Sequence, residues 1–152
     1  MSSPIRRLFV NGFPSLYGGA GTELHHQIIV WRKMGVEVHL IPSWDYHGKP
    51  LYNEMVSLGV QPGAPVLGFC NAGFLNALPE IRRHTKRTVF INCMTWLFPR
   101  EKEAMQKGEI AMFLYQNEAV RQEAMPVLRK LNGDPQVALF PCGILSLYPG
   151  TR

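Results

Sequence analysis

Six short apolar stretches recur along this 152-residue chain, each closed by a polar or turn-forming residue. IRRLFV runs into Asn11, VEVHLI into Pro42, APVLGFC into Asn71, RTVFINC up to Met94, IAMFLYQ up to Asn117 and QVALF into Pro141. Stretches that are apolar on nearly every residue suit strands buried on both faces, the condition of a parallel sheet. Parallel neighbours need a crossover between them, and segments of helical periodicity stand where those crossovers belong. The pattern predicts an α/β, Rossmann-like, three-layer α/β/α sandwich around a mainly parallel sheet of about six strands. A content of 46 % apolar and 18 % charged residues supplies a core of that size and excludes a disordered chain or a coiled coil. We read residues 1–152 as a single Rossmann-like domain, with 141–152 beginning a linker.

Helices are expected at 22–34, 51–58, 73–84, 99–107 and 118–131. Thr22 is the expected N-cap of the first, Leu24, Ile28 and Trp31 recur on one face, and Gly35 closes it. Pro79 lies inside the third, which predicts a kink there or a regular helix starting at that residue. Pro99 suits the first turn of the fourth. Asn132-Gly133 stops the last, which Pro126 interrupts.

In sheets of this kind ligands bind in the crevice outside the carboxyl ends of the strands. The residues expected there are Asn11-Gly12, Pro42 to Asp45, Cys70-Asn71-Ala72-Gly73, Cys93-Met94-Thr95-Trp96, Gln116-Asn117-Glu118 and Pro141-Cys142-Gly143. The first of these connections, NGFPSLYGGAGTE, carries Gly18, Gly19 and Gly21 directly before a helix. Glycines at that place either make a turn too tight for side chains or expose backbone N–H groups to an anion at the positive end of the helix. No lysine follows Gly21 as a P-loop requires, and no G-x-G-x-x-G follows the strand, so ATPase and dehydrogenase readings fall. Glu23, expected in the first helical turn, would compete with such an anion for the helix dipole.

The net charge of +5 favours anionic partners such as nucleotides, phospholipid headgroups or nucleic acid. The basic group Arg82, Arg83, His84, Lys86 and Arg87 also suits a solvated helix C-terminus. Membrane or nucleic-acid contact and self-association are compatible with this composition, but nothing in the sequence specifies them. Three widely separated cysteines, Cys70, Cys93 and Cys142, without zinc-type spacing, read as free thiols in a reducing compartment, with no metal site. The start, MSSPIRR, has no apolar signal-peptide core, and no apolar run approaches the roughly 20 residues that span a bilayer, so a cytoplasmic location is expected.

The segment VNGFPSLYGGAGTELHHQIIVWRKMGVEVHLIP resembles the opening of the N-terminal domain of GT-B glycosyltransferases of the retaining, family 4 type. A second segment, EAVRQEAMPVLRKLNGDPQVALFPCGILSLYPG, is similar to the close of that domain and its linker. Pro141, Gly143, Ile144, Tyr148 and Pro149 match the linker in order, while Cys142 stands in place of its usual asparagine and Leu145 in place of its usual aspartate. The resemblance implies the acceptor-side half of an enzyme that takes a nucleotide sugar as substrate, without a further cofactor. Transfer to a glycan or other acceptor then needs a second, donor-binding domain or partner chain. It places Gly18, Gly19, Ala20, Gly21 and Thr22 against the donor diphosphate or the acceptor, and Asn71, Thr95, Trp96 and Glu118 among the substrate-binding residues of the strand-end loops that floor the cleft. A histidine that many relatives carry after the fourth strand is absent from INCMTWLFPRE, where Thr95 and Trp96 are the sugar-facing candidates. His25 and His26 read as packing or surface residues. The alternative is a non-catalytic Rossmann-like module that binds an anionic partner through its basic surface.

Overall fold

In the computed structural model, residues 6–16, 19–41, 59, 63–129 and 136–139 are described. The six apolar stretches form six strands: β1 (Arg7–Asn11), β2 (Glu37–Ile41), β3 (Val66–Phe69), β4 (Thr88–Asn92), β5 (Met112–Tyr115) and β6 (Gln136–Leu139). Four helices lie among the described residues: α1 (Gly19–Lys33), α2 (Ala72–His84), α3 (Pro99–Gln106) and α4 (Glu118–Leu128). The expected helix at 51–58, the linker at 141–152, Gly18 and Cys142 lie outside the described residues.

The strands pair in parallel in the order β2-β1-β3-β4-β5-β6. The fold is therefore Rossmann-like α/β, with all carboxyl ends on one edge. The step from β1 to β2 runs one way along the sheet and the steps from β3 to β6 run the other. Right-handed crossovers then put α1 on one face and α2, α3 and α4 on the opposite face. The core divides accordingly. Leu24 and Ile28 of α1 pack on Leu8, Val10, Val38, Leu67, Phe69 and Ile91. Phe74, Leu78 and Ile81 of α2, with Met105 of α3 and Val120 of α4, pack on Phe9, Val66, Phe90 and Phe113.

Three helical expectations change, at Thr22, at Pro79 and at Pro126, through which α4 runs unbroken from Glu118 to Leu128. α1 begins at Gly19, three residues before Thr22, and the buried Thr22 hydroxyl has no hydrogen-bond partner, so it is not the cap. The glycines let the chain enter the helix early, which carries Glu23 out of the first turn and leaves that turn without an acidic residue. α2 runs without a break through Pro79. Proline cannot donate to the carbonyl four residues back, and that carbonyl, Leu75 O, accepts instead from Arg100 Nη2 of α3 at 2.7 Å. A side chain from a neighbouring helix thus completes the hydrogen bonding of α2.

Candidate functional site at the carboxyl edge of the sheet

Between β1 and β3 the connections leave the sheet in opposite directions, α1 to one face and α2 to the other, which opens a crevice at the topological switch point. A cavity of about 330 Å³ occupies that place, lined by Phe13, Ala20, Gly21, Leu24, Phe69, Cys70, Asn71 and Ala72. The start of α1 is one wall and the turn from β3 into α2 is the other. A larger groove, about 850 Å³, lies between α3 and α4 along Leu97, Lys102, Gln106, Gln122 and Glu123, and none of the residues expected from sequence lines it.

Two of the loop glycines have different local reasons. Gly19 has φ +60 and open space around it, so its backbone conformation requires glycine. Gly21 has an ordinary φ, but a Cβ there would lie 2.8 Å from the Phe13 carbonyl oxygen and 3.0 Å from Ser15 Cβ. The Ser15 N–H donates to Gly21 O at 3.0 Å. Gly21 is therefore a point of close approach between helix and loop, which folds Phe13 to Ser15 back along the cavity wall.

Asn71 is tied on both sides. Its Oδ1 accepts from the Gly73 N–H at 3.1 Å and caps α2, while its Nδ2 donates to Asn11 Oδ1 at 2.5 Å. Asn11 Nδ2 in turn donates to Ile41 O at 2.6 Å. One hydrogen-bond relay thus stitches the ends of β3, β1 and β2 and makes the cavity floor rigid.

The other expected residues lie apart from the cavity. Thr95 and Trp96 follow β4, both exposed, and Trp96 stands edge-on against Phe98 with ring centroids 4.3 Å apart. Glu118 opens α4 beyond β5 and is paired with Arg121 at 2.6 Å, whose guanidinium holds the carboxyl below its ordinary range. The structure therefore brings Ala20, Gly21 and Asn71 together, with Gly19 beside them, and leaves Thr95, Trp96 and Glu118 on neighbouring loops. His26 is buried and edge-stacked on His25, in keeping with packing roles. The cluster Arg82 to Arg87 sits at the amino edge of β4, away from the cavity. There Arg82 donates to Lys86 O and Thr88 Oγ1, and Arg87 to Gly63 O.

Three groups at the carboxyl edge went unnoticed as a set in the sequence. Glu101, in the first turn of α3, is fully buried. Both of its oxygens accept from Asn92 Nδ2, at 2.9 and 2.8 Å, and Oε1 also accepts from the Phe98 N–H at 3.4 Å. Phe98 is the helix cap and offers no side-chain acceptor, so Glu101 supplies the single side-chain bond of this cap. Burial pushes its carboxyl up to about 8, partly opposed by the bonds from Asn92 and Phe98. Cys70 and Cys93 lie half-buried at the ends of β3 and β4. The only signals for these groups in the sequence were an asparagine or cysteine closing each strand and a glutamate two residues after a helix-starting proline.

Comparison with protein-family profiles, curated proteins and solved structures gave no match to the chain. Among the described residues no helix is long and apolar enough to cross a membrane, and no cluster of three or more His, Cys, Asp or Glu side chains suits a metal ion.

Proposed function

We propose that this chain forms one wall of a retaining glycosyltransferase site, with the α1 start facing the diphosphate of a nucleotide-sugar donor. The observation that carries this reading is the cavity at the β1/β3 switch point, walled by Ala20 and Gly21 in a first helical turn free of acidic residues. The resemblance of residues 9–42 to the opening of such enzymes supports it. The first N–H groups of a helix have no partner within it, so those from Gly19 to Thr22 are donors for charge that develops on a departing nucleoside diphosphate. The strand-end loops, with Thr95 and Trp96, form the acceptor side. A second domain holds the nucleotide in this reading, and no protein nucleophile is required.

The test is titration of isotope-labelled protein with nucleoside diphosphates and their sugar conjugates, followed by amide chemical shifts. Shifts should cluster at Phe13, Ala20, Gly21, Cys70 and Asn71, and an Ala20→Phe variant, which fills the cavity, should lose them. Silent cavity amides, with shifts at Arg82 to Arg87 on adding DNA or anionic vesicles, would instead establish an anion-binding module.

A further inference from the structure

Cys70 is the only non-glycine residue with positive φ among the described residues, at φ 49. This conformation has a consequence for where its side chain goes. Along β3 the pleat alternates: Val66 packs with the α2 to α4 face, whereas Leu67 and Phe69 pack with the α1 face. Simple continuation would send Cys70 to the α2 face. It packs instead on the α1 face with Phe69, because the left-handed turn breaks the alternation. On β4 the alternation holds, so Val89, Ile91 and then Cys93 share that same α1 face. Phe69 is in register with Ile91, and the Cys70 N–H donates to Ile91 O at 2.9 Å. The strained residue is thus what brings the two cysteines together at adjacent strand ends. A non-glycine residue is strained in this region, and the strand bond of Cys70 and the cap from Asn71 hold it there.

The two sulfurs are not equivalent. The Cys70 and Cys93 side chains interact directly across the two strand ends. Contact with Cys93, against an opposing effect of burial and of the Glu23 carboxylate, lowers the Cys70 thiol. Cys93 is pushed upward, first by its bond to Cys70 and then by burial and Glu23. Glu23 from α1 and Glu101 from α3 are the charged groups that bear on the pair. Cys70 is the sulfur that lines the cavity and is drawn toward the thiolate, with Cys93 beside it drawn toward the thiol.

We propose that Cys70 and Cys93 form a reversible dithiol site that small hydroperoxides oxidise to a disulfide at the cavity wall. In the first step the Cys70 thiolate attacks one peroxide oxygen. The S–O bond forms, the O–O bond breaks, and the leaving oxygen takes a proton as water or alcohol. Cys70 is then a sulfenic acid. In the second step the Cys93 sulfur attacks the Cys70 sulfur, the S–S bond forms, and the S–O bond breaks with loss of water that carries away the Cys93 proton. The two thiols together give two electrons to the peroxide, and a low-molecular-weight thiol reverses the change by exchange. The product ties the β3–α2 turn to the β4–α3 loop.

The experiment exposes the full chain to hydrogen peroxide and maps its unreduced peptides by mass spectrometry. A linked pair containing Cys70 and Cys93, lighter by two hydrogens and restored by glutathione, is the expected result. In the Cys93→Ser variant, dimedone should trap a sulfenic acid at residue 70; in Cys70→Ser, none should form at residue 93. Accumulation of sulfinic acid at Cys70 without a 70–93 link in the wild-type protein overturns the proposal. Links to Cys142 in equal yield overturn it as well, and both readings come from the wild-type chain whether or not the variants fold.

Discussion

Replacing Glu101 by glutamine tests whether the carboxyl edge of the sheet is built around a neutral acid. Glu101 is fully buried and its carboxyl is pushed from 4.5 up to about 8, first by burial. In the unfolded chain it ionises near its ordinary value, so between these two pH values the folded state holds more protons than the unfolded state. Stability is then undiminished below about pH 4.5, falls as pH rises toward 8, and levels off above that, the reverse of a salt-bridged carboxylate. A shift of that size, at about 1.36 kcal/mol per unit, sets a ceiling of about 5 kcal/mol, of which about 4 falls between about pH 5 and pH 9. Glutamine keeps the shape and an acceptor for Asn92 but cannot ionise. The assay is urea denaturation of wild-type protein and Glu101→Gln at a series of pH values. The expected result is that the variant gains on the wild type by several kcal/mol as pH rises, with most of the gain before pH 8. Two stability profiles that stay parallel across that range would refute the argument, because every other titrating group is common to both proteins.

Gly21→Ala should lower the melting temperature even though alanine favours a helix by about 1 kcal/mol, because its Cβ meets the Phe13 carbonyl at 2.8 Å; a stabilised variant would show that the loop does not pack this way. Asn71→Ala removes the cap of α2 and leaves buried Asn11 Oδ1 without its donor, for an expected loss of about 2 kcal/mol in chemical denaturation. Arg100→Leu should cost about 1–3 kcal/mol by leaving Leu75 O unpaired. In a Pro79→Ala background that cost should shrink, since the restored N–H at residue 79 can take the same carbonyl, and a double-mutant cycle measures the difference.

The six strands were legible from sequence because they express local physics. An apolar run reads as burial on two faces whatever its neighbours are. Helix ends were less legible: Thr22 has the chemistry of a cap, yet the glycines before it admit three more residues to α1. Pro79 read as a break, because its remedy is a guanidinium 21 positions further along the chain at Arg100.

What the sequence determined by itself is the class of fold and the edge of the sheet at which a site belongs, since both follow from periodicity and from residues adjacent in the chain. Only the tertiary structure decided the order β2-β1-β3, and with it the place of the cavity. It likewise joined Asn71 to Asn11, turned Cys70 onto the face of Cys93, and sealed Glu101 beneath Asn92. Those arrangements depend on which strands become neighbours, a choice made by packing across the whole sheet and therefore absent from any local stretch of residues.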